Sequence, residues 1–402
     1  MQAISNTSSD GTLVIVGTGL AGYHVARQAR QNGHTGPISI IGDENRPAYD
    51  RPALSKAFLN GTVNFEDLHL DDPDNPLDVI WHSGSAAVEL STDPLGVATA
   101  DGAFHTGDNV VIVTGSEAQR LPSFGRSGGA FVLRNVEDAL ALRERMIDGQ
   151  RIAMVGGGFL ALEAVSTFID RGAAEITIIA NEQFPGEARL GASVARAIRL
   201  LHEKRGVQFG PPVFAHSVTD IDDGSQVLNL TNGETVQADF IVCAIGATPA
   251  TRWLREGVLT LDPTGAILCD DFGFTGIPGV WAAGDCSQWT SQAAGLRPIG
   301  QWQEAVEQAG IVAAAIMGAP PVPFQEPYFW SEQYDVMIQG AGRIAQSNEV
   351  HVLDGTIEDG NLLVSYRRDG EEIGILGMNR MREVKRWRKT QTARALACAH
   401  SV

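Results

Sequence analysis

Leu13-Val-Ile-Val-Gly17-Thr-Gly19-Leu-Ala-Gly22 decides the fold. The run Leu13–Val16 is too β-branched to favour helix and feeds straight into G-x-G-x-x-G. Tyr23, Val25, Ala26 and Ala29 then recur among polar residues until Asn32-Gly33 stops the pattern. Strand, glycine turn and helix in that order are what a dinucleotide pyrophosphate requires. Gly17 allows the tight turn, Gly19 lets the backbone approach the phosphates, and Gly22 lets the helix pack on the strand. Leu20, Ala21 and Gly22 open the helix, whose free N–H groups face the anion.

Outward from this stretch, Pro37–Ile41 reads as a second parallel strand, and Gly42-Asp43-Glu44 follows it. That puts carboxylates roughly twenty residues past the glycines, where an acid accepts hydrogen bonds from a ribose. In Arg46–Lys56 two prolines suppress helix until Leu54, so the loop presents Arg51 and Lys56 beside the nucleotide. Residues 64–78 are acidic and proline-interrupted, a surface excursion. Asn109–Thr114 is a further strand, closing at Thr114-Gly115.

At Arg151 the pattern recurs. Ile152–Val155, Gly156-Gly-Gly158 and Phe159-Leu160-Ala161-Leu-Glu163 again give strand, glycine turn and helix start, with the helix ending near Arg171-Gly172. Glu175–Ala180 is its second strand, and Ala238–Gly246 closes the unit as Thr114-Gly115 closes the first. Two such units imply two dinucleotides, and a chain holding two passes electrons between them. Further on, residues 264–268 and 279–285 read as strands with turns. Ile299–Met317 reads as a helix ended by Gly318 and Pro320-Pro321. From Pro327 the texture becomes aromatic, then alternating strands with turns at Gly340, Gly355, Gly360 and Gly370. The fold class is therefore α/β: two Rossmann-like dinucleotide-binding domains plus a small C-terminal α+β domain.

Composition narrows the function. A chain of 402 residues holds two or three domains. It has no apolar run long enough to span a bilayer and opens without a basic, apolar leader, so a cytoplasmic protein is expected. The net charge of −18 argues against nucleic acid, whose binding needs Lys and Arg to neutralise phosphates. Cys243, Cys269, Cys286 and Cys398 show no C-x-x-C and no zinc-ligand spacing, so no metal site is expected. No nucleophilic triad is evident; His105, His202 and His216 read as surface or structural histidines.

The motifs together resemble the FAD-dependent, NADH-oxidising ferredoxin reductases of Rieske dioxygenase and bacterial P450 systems, the putidaredoxin-reductase-like group with a glutathione-reductase-type fold. The resemblance rests on the glycine loops, on Pro47-x-Tyr49-x-Arg51-Pro52-x-Leu54-Ser55-Lys56, Leu133-Arg134, Asp138-Ala139 and Ala283-Gly284-Asp285, and above all on Tyr328-Phe-Trp330-Ser-Glu-Gln-Tyr-Asp335. It implies an FAD domain from 1–117 and 248–324, an NAD(P)H domain from 118–247 and a C-terminal domain from 325–402 that helps form a partner surface. It implies tightly bound FAD in the first unit and a mobile nicotinamide nucleotide in the second. Glu44 then resembles the FAD ribose acid, Arg51 and Arg134 the pyrophosphate partners, and Asp285 the carboxylate on the ribityl–pyrophosphate portion. Thr114, Gly115 and Gly284 line the same cofactor, and the Val88 backbone meets the adenine. Lys56 and Glu163 fall beside the isoalloxazine ring, and Trp302 and Trp330 border it. Phe159, Leu160 and Gly246 belong to the nicotinamide side.

By that resemblance, hydride passes to flavin and single electrons to a [2Fe–2S] ferredoxin. With no cysteine before Cys243, electrons must leave the flavin directly rather than through a thiol pair. Arg380, Arg382, Lys385, Arg386, Arg388, Lys389 and Arg394 form a basic segment opposed only by Glu383, suited to steering an acidic ferredoxin. One departure concerns the nucleotide. Where relatives carry a ribose-binding glutamate at the end of the second unit's second strand, this chain has Ala180, then Asn181-Glu182. Losing that acid removes repulsion against a 2′-phosphate. NADH use with NADPH tolerated is expected, with Glu182 and Arg189 as candidate contacts. Gly300 stands where relatives often carry glutamate. A rubredoxin or other one-electron-acceptor reductase of the same fold, an NADH oxidase and a partner-binding flavoprotein like apoptosis-inducing factor are the alternatives. A monomer or a homodimer fits equally.

Overall fold

The computed structural model describes residues 9–124, 129–254, 257–291, 295–297, 302–319 and 326–399. The chain packs as two units, one of Met1–Asp50, Glu66–Glu117 and Ala247–Phe324, the other of Arg51–Phe65, Ala118–Gly246 and Gln325–Val402.

The first unit is built on a five-stranded sheet in the order Val280–Ala282, Asn109–Ile112, Leu13–Val16, Ile38–Gly42, Ile80–Ser83. Every pairing is parallel. Leu13–Val16 lies second from neither edge but at the centre, buried along its whole length, which is why it reads as a continuous apolar run rather than an alternating one. The helix Leu20–Gln31 follows and ends at Asn32. It packs on the helix Trp302–Ile316, where Ala309 and Ala313 are fully buried. The expected start of that second helix at Ile299, and Gly300 with it, lie outside the described residues; Gly318, with φ +65°, follows its end. A three-stranded antiparallel sheet, Ala87–Thr92, Leu95–Thr99 and Phe104–Thr106, is added to this unit.

The second unit repeats the plan with a four-stranded parallel sheet, Gln208–Phe209, Glu175–Ile179, Arg151–Val155, Phe240–Cys243. The helix Phe159–Asp170 follows its central glycine loop. The same unit contains a five-stranded antiparallel sheet in the order Tyr328–Gln333, Val336–Gly342, Glu371–Met378, Asn361–Arg368, Glu349–Thr356. The helix Met381–Ala399 packs on its strands Val336–Gly342 and Glu371–Met378 through Val384 and Trp387.

Three local expectations are corrected. Residues Arg51–Ser55 form a 3-10 turn despite Pro52, because an early position in a short turn needs no N–H from proline. Gly355 lies in the strand Glu349–Thr356, paired with Leu362, and Gly340 is not a turn residue either. It lies inside the strand Val336–Gly342, opposite Phe329, and a Cβ there would fall 2.3 Å from the Phe329 ring. The glycine is needed for the close approach of an aromatic ring across the pair.

Candidate dinucleotide and redox site

In the first unit, the expected residues sit just past the C-terminal ends of four parallel strands, where open α/β sheets bind ligands. The Gly17–Gly22 loop follows Leu13–Val16, Glu44 follows Ile38–Gly42, Thr114-Gly115 follows Asn109–Ile112, and Gly284-Asp285 follows Val280–Ala282. The glycines are dictated by contact. A Cβ on Gly17, whose φ is +130°, would fall 2.2 Å from the Val113 carbonyl oxygen, and one on Gly22 would fall 1.9 Å from the Gly17 oxygen. Gly19 caps the helix Leu20–Gln31 with no side chain bonded to the helix start, and no acid occupies its first turn. That leaves the amides and the positive end of the helix dipole to an anion. The donor set suits a dinucleotide.

Side chains around the loop are held in place. Asp285 accepts the Ser116 hydroxyl at 3.0 Å, Thr114 donates to the Ala250 carbonyl at 2.8 Å, and the Gly284 N–H donates to Gln308 at 2.7 Å. Glu44 accepts the Tyr49 hydroxyl at 2.7 Å, and the Trp302 indole donates to Asp50 at 2.9 Å. Val88 is exposed on its strand. His24 stacks edge-on to Trp302, and burial, with Arg27 nearby, pulls its proton affinity down to about 4.

In the second unit the first loop glycine is needed for the same reason: a Cβ on Gly156, φ +116°, would fall 2.2 Å from the Ala244 oxygen. A Cβ on Gly158 would meet only open space, and the helix Phe159–Asp170 begins there with no side-chain cap. The backbone is therefore bare where a pyrophosphate approaches. Gly246, with φ +119°, follows the closing strand Phe240–Cys243. Phe159 packs on Phe329, and Leu160 is exposed. Glu182 has two acceptor directions taken by the Gly186 and Ala188 N–H groups, at 2.9 and 3.2 Å. Arg189 is exposed on the helical turn Glu187–Leu190.

The second unit also collects Arg51, Lys56, Arg134 and Glu163. The Arg51 guanidinium donates to the Arg134 carbonyl at 3.0 Å, and Arg134 precedes Asn135, which caps the helix Val136–Arg145 in a capping box with Asp138. Lys56 Nζ lies 3.1 Å from Glu163 Oε1, with the lysine side chain 18% and the glutamate 8% exposed. Glu163 also accepts the Ser55 hydroxyl at 2.8 Å and the Ser331 hydroxyl at 2.7 Å. A buried carboxylate is stable only when its lone pairs are met in this way. Ser55, Ser331 and Gln333 lie inside the two quoted motifs, but nothing in the sequence assigns them or His202 a partner in the site.

Cys243, Cys269 and Cys286 are free and buried, and burial is the main cause that pushes each thiol up in pKa. Thiolate chemistry is suppressed at all three. Among the described residues no group of three His, Cys, Asp or Glu is placed to hold a metal ion, and no helix is long and apolar enough to cross a membrane.

Two glycine-loop cradles on two parallel sheets define a dinucleotide-dependent oxidoreductase. The chain belongs to the pyridine nucleotide-disulphide oxidoreductase family, which it matches over residues 11–309, and residues 328–402 match the reductase C-terminal family. It is 31% identical to the ferredoxin reductase component of a Cupriavidus chlorobenzene dioxygenase, over 95% of this chain and 93% of that one. It is 29% identical to the ferredoxin–NAD(+) reductase subunit of the Pseudomonas putida benzene 1,2-dioxygenase system, over 92% and 90%. Its fold superposes on putidaredoxin reductase in the covalent putidaredoxin reductase–putidaredoxin complex with a TM-score of 0.89 at 27% identity, covering 95% and 93% of the two chains.

Proposed function

We propose that this protein is an FAD-dependent ferredoxin–NAD(P)+ reductase that feeds an oxygenase through a [2Fe–2S] ferredoxin. FAD, when bound, supplies the ability to accept a hydride and to release its electrons singly. The Gly17–Gly22 amides, Gly115, Gly284 and Asp285 hold FAD tightly, with Glu44 on a ribose, Arg51 and Arg134 on the pyrophosphate, the Val88 backbone at the adenine and Trp302 beside the ring. Gly156, Gly158 and the start of the helix Phe159–Asp170 receive NADH. With Ala180 in place of an acid, and Glu182 bonded to two backbone amides, NADPH is tolerated. Lys56 offers a cation beside the flavin, and Glu163 orients it. The buried Lys56–Glu163 pair is the observation that carries this reading: a pair taken partly out of water repays its cost only with close geometry and further hydrogen bonds, and Ser55 and Ser331 supply them here.

Electrons leave directly for the partner, since the described thiols are buried and burial suppresses their thiolate form. The acceptor docks near Trp330, which stacks on Tyr328, and the helix Met381–Ala399. Anaerobic titration with NADH and NADPH, followed by cytochrome c reduction with and without a [2Fe–2S] ferredoxin, tests the proposal. Bleaching by NADH and ferredoxin-dependent turnover are expected. Fast bleaching with no dependence on ferredoxin, or full turnover with oxygen alone, defeats it.

A further inference from the structure

The stretch Ser331–Asp335 has no role yet beyond the single bond from Ser331. Ser331 and Gln333 alternate along the strand Tyr328–Gln333, so both project to one side, and both are fully buried. The Gln333 amide nitrogen lies 3.1 Å from Ser331 Oγ, and its oxygen lies 3.0 Å from Nε2 of His202, which is also fully buried. His202 Nδ1 in turn lies 2.9 Å from the Tyr334 hydroxyl.

Proton positions along this chain follow from what each group can do. The amide oxygen only accepts, so His202 Nε2 carries hydrogen. Burial keeps the imidazole neutral, pulling its proton affinity down to about 4, so Nδ1 is an acceptor and takes the tyrosine proton. The Gln333 nitrogen donates to Ser331, whose hydroxyl is then turned to Glu163 Oε1. Every donor from Tyr334 inward points toward one carboxylate.

The backbone adds a second, independent observation. Tyr334 sits at φ +57°, a left-handed conformation that a bulky residue adopts only when its surroundings impose it. Its N–H donates to Ser166 Oγ at 2.6 Å, on the helix that carries Glu163. Outside, Arg205 lies 4.1 Å over the Tyr334 ring and pairs with Asp335 at 2.5 Å. The turn is clamped from both sides.

We propose that Gln333 and His202 are positioning residues that act through Ser331 to hold Glu163 aimed at Lys56. The inference rests on the reading that the Lys56–Glu163 pair serves the flavin. A carboxylate that loses an aligned donor is freer to turn from its lysine, so the effect appears at the redox step rather than in nucleotide binding.

The test uses the FAD-loaded full chain. Anaerobic stopped-flow reduction by NADH is compared for wild type, Glu163→Gln, Ser331→Ala, Gln333→Leu and the Glu163→Gln/Gln333→Leu double variant, at equal flavin content. Ser331→Ala and Gln333→Leu should each slow flavin reduction about tenfold with an unchanged dependence on NADH concentration. In the Glu163→Gln background, Gln333→Leu should add less than about twofold, since residues acting through one group are not additive. Ser331→Ala, which removes one atom, decides the matter if Gln333→Leu does not fold. A readout independent of turnover is 15N NMR of the histidines: His202 should show protonated Nε2, bare Nδ1 and no titration down to about pH 5.5, with Nδ1 shifted in Tyr334→Phe.

Normal reduction in Glu163→Gln overturns the reading of the pair and this inference with it. Slow Glu163→Gln with unaffected Ser331→Ala and Gln333→Leu overturns the inference alone. So does an additive double variant, or the Nδ1–H tautomer.

Discussion

Glu163 receives one cation and two hydroxyl donors from two separate stretches of chain, Ser55-Lys56 and Ser331. Removing the cation leaves a buried charge with hydroxyls alone. Lys56→Met should therefore lower stability by about 3 kcal/mol in urea unfolding, the usual cost of breaking a buried pair from one side. It should also slow flavin reduction about 100-fold, as losing one preorganised electrostatic group does. Adding Glu163→Leu should restore the stability and not the rate; recovery of both would mean the pair is only structural. At Gly22 the expectation is all or nothing. A Cβ 1.9 Å from a backbone oxygen cannot be relieved by a side-chain rotation, so Gly22→Ala should purify without bound flavin, read from the visible absorbance. Sequence made the loop glycines legible because their reasons are local. The bonds from Ser331 to Glu163 and from Gln333 to His202 were not legible, because they join residues far apart in the chain. Gly340 was misread because glycine marks both turns and close approaches.

At the scale of elements, the closing helix separates the basic residues into two kinds. Arg380 is paired with Asp354 at 2.8 Å, and Arg388 lies over the Tyr328 ring and reaches the Glu326 carbonyl. Arg382, Lys385, Arg386 and Lys389 are exposed. Reversing these four charges should cut ferredoxin-dependent cytochrome c reduction about tenfold at low salt and leave ferricyanide reduction unchanged. Equal loss with both acceptors would place the defect elsewhere. On the proposed reading, the end of the strand Glu175–Ile179 bears on the choice of nucleotide. Ala180→Glu should raise the preference for NADH over NADPH about tenfold in kcat/KM, the worth of one charged hydrogen bond gained and one repulsion introduced. The strands and helices flanking the two glycine loops were read from sequence nearly to their ends, since apolar runs and glycine stops act within a few residues; the helices Val136–Arg145 and Ala192–Glu203 were not read at all. Sheet order was not legible either, because it is set by packing of elements that local pattern does not connect.

Across the whole molecule, three buried histidines, His24, His34 and His202, link stability to pH, each with its proton affinity lowered chiefly by burial. His24 and His202 both hold protons only below about 4 in the fold, against an ordinary 6.5 when unfolded. The unfolded chain therefore binds more protons between those values. Their contribution is complete above about 6.5 and is lost as pH falls, at roughly 1.4 kcal/mol per pH unit for each histidine. Urea unfolding from pH 7 to 5 should show the slope, and His202→Gln should make it shallower; an unchanged slope would mean His202 is solvated and charged. Composition gave the overall class, through two glycine loops and a thiol pattern. The assignment of residues 51–65 to the second unit was not legible, since nothing in that loop's composition says which unit it packs against.

The sheet order of the first unit also has a consequence for how the chain is made. Strands Leu13–Val16, Ile38–Gly42, Ile80–Ser83 and Asn109–Ile112 leave the ribosome early, but the partner of Asn109–Ile112, Val280–Ala282, is translated far later. At ordinary synthesis rates the interval is roughly 10–30 seconds. Throughout it, an apolar, β-branched edge waits unpaired, the kind of edge that recruits other chains. Nascent chains stalled before residue 280 should be captured by chaperones or aggregate, and release should track the appearance of that one short strand.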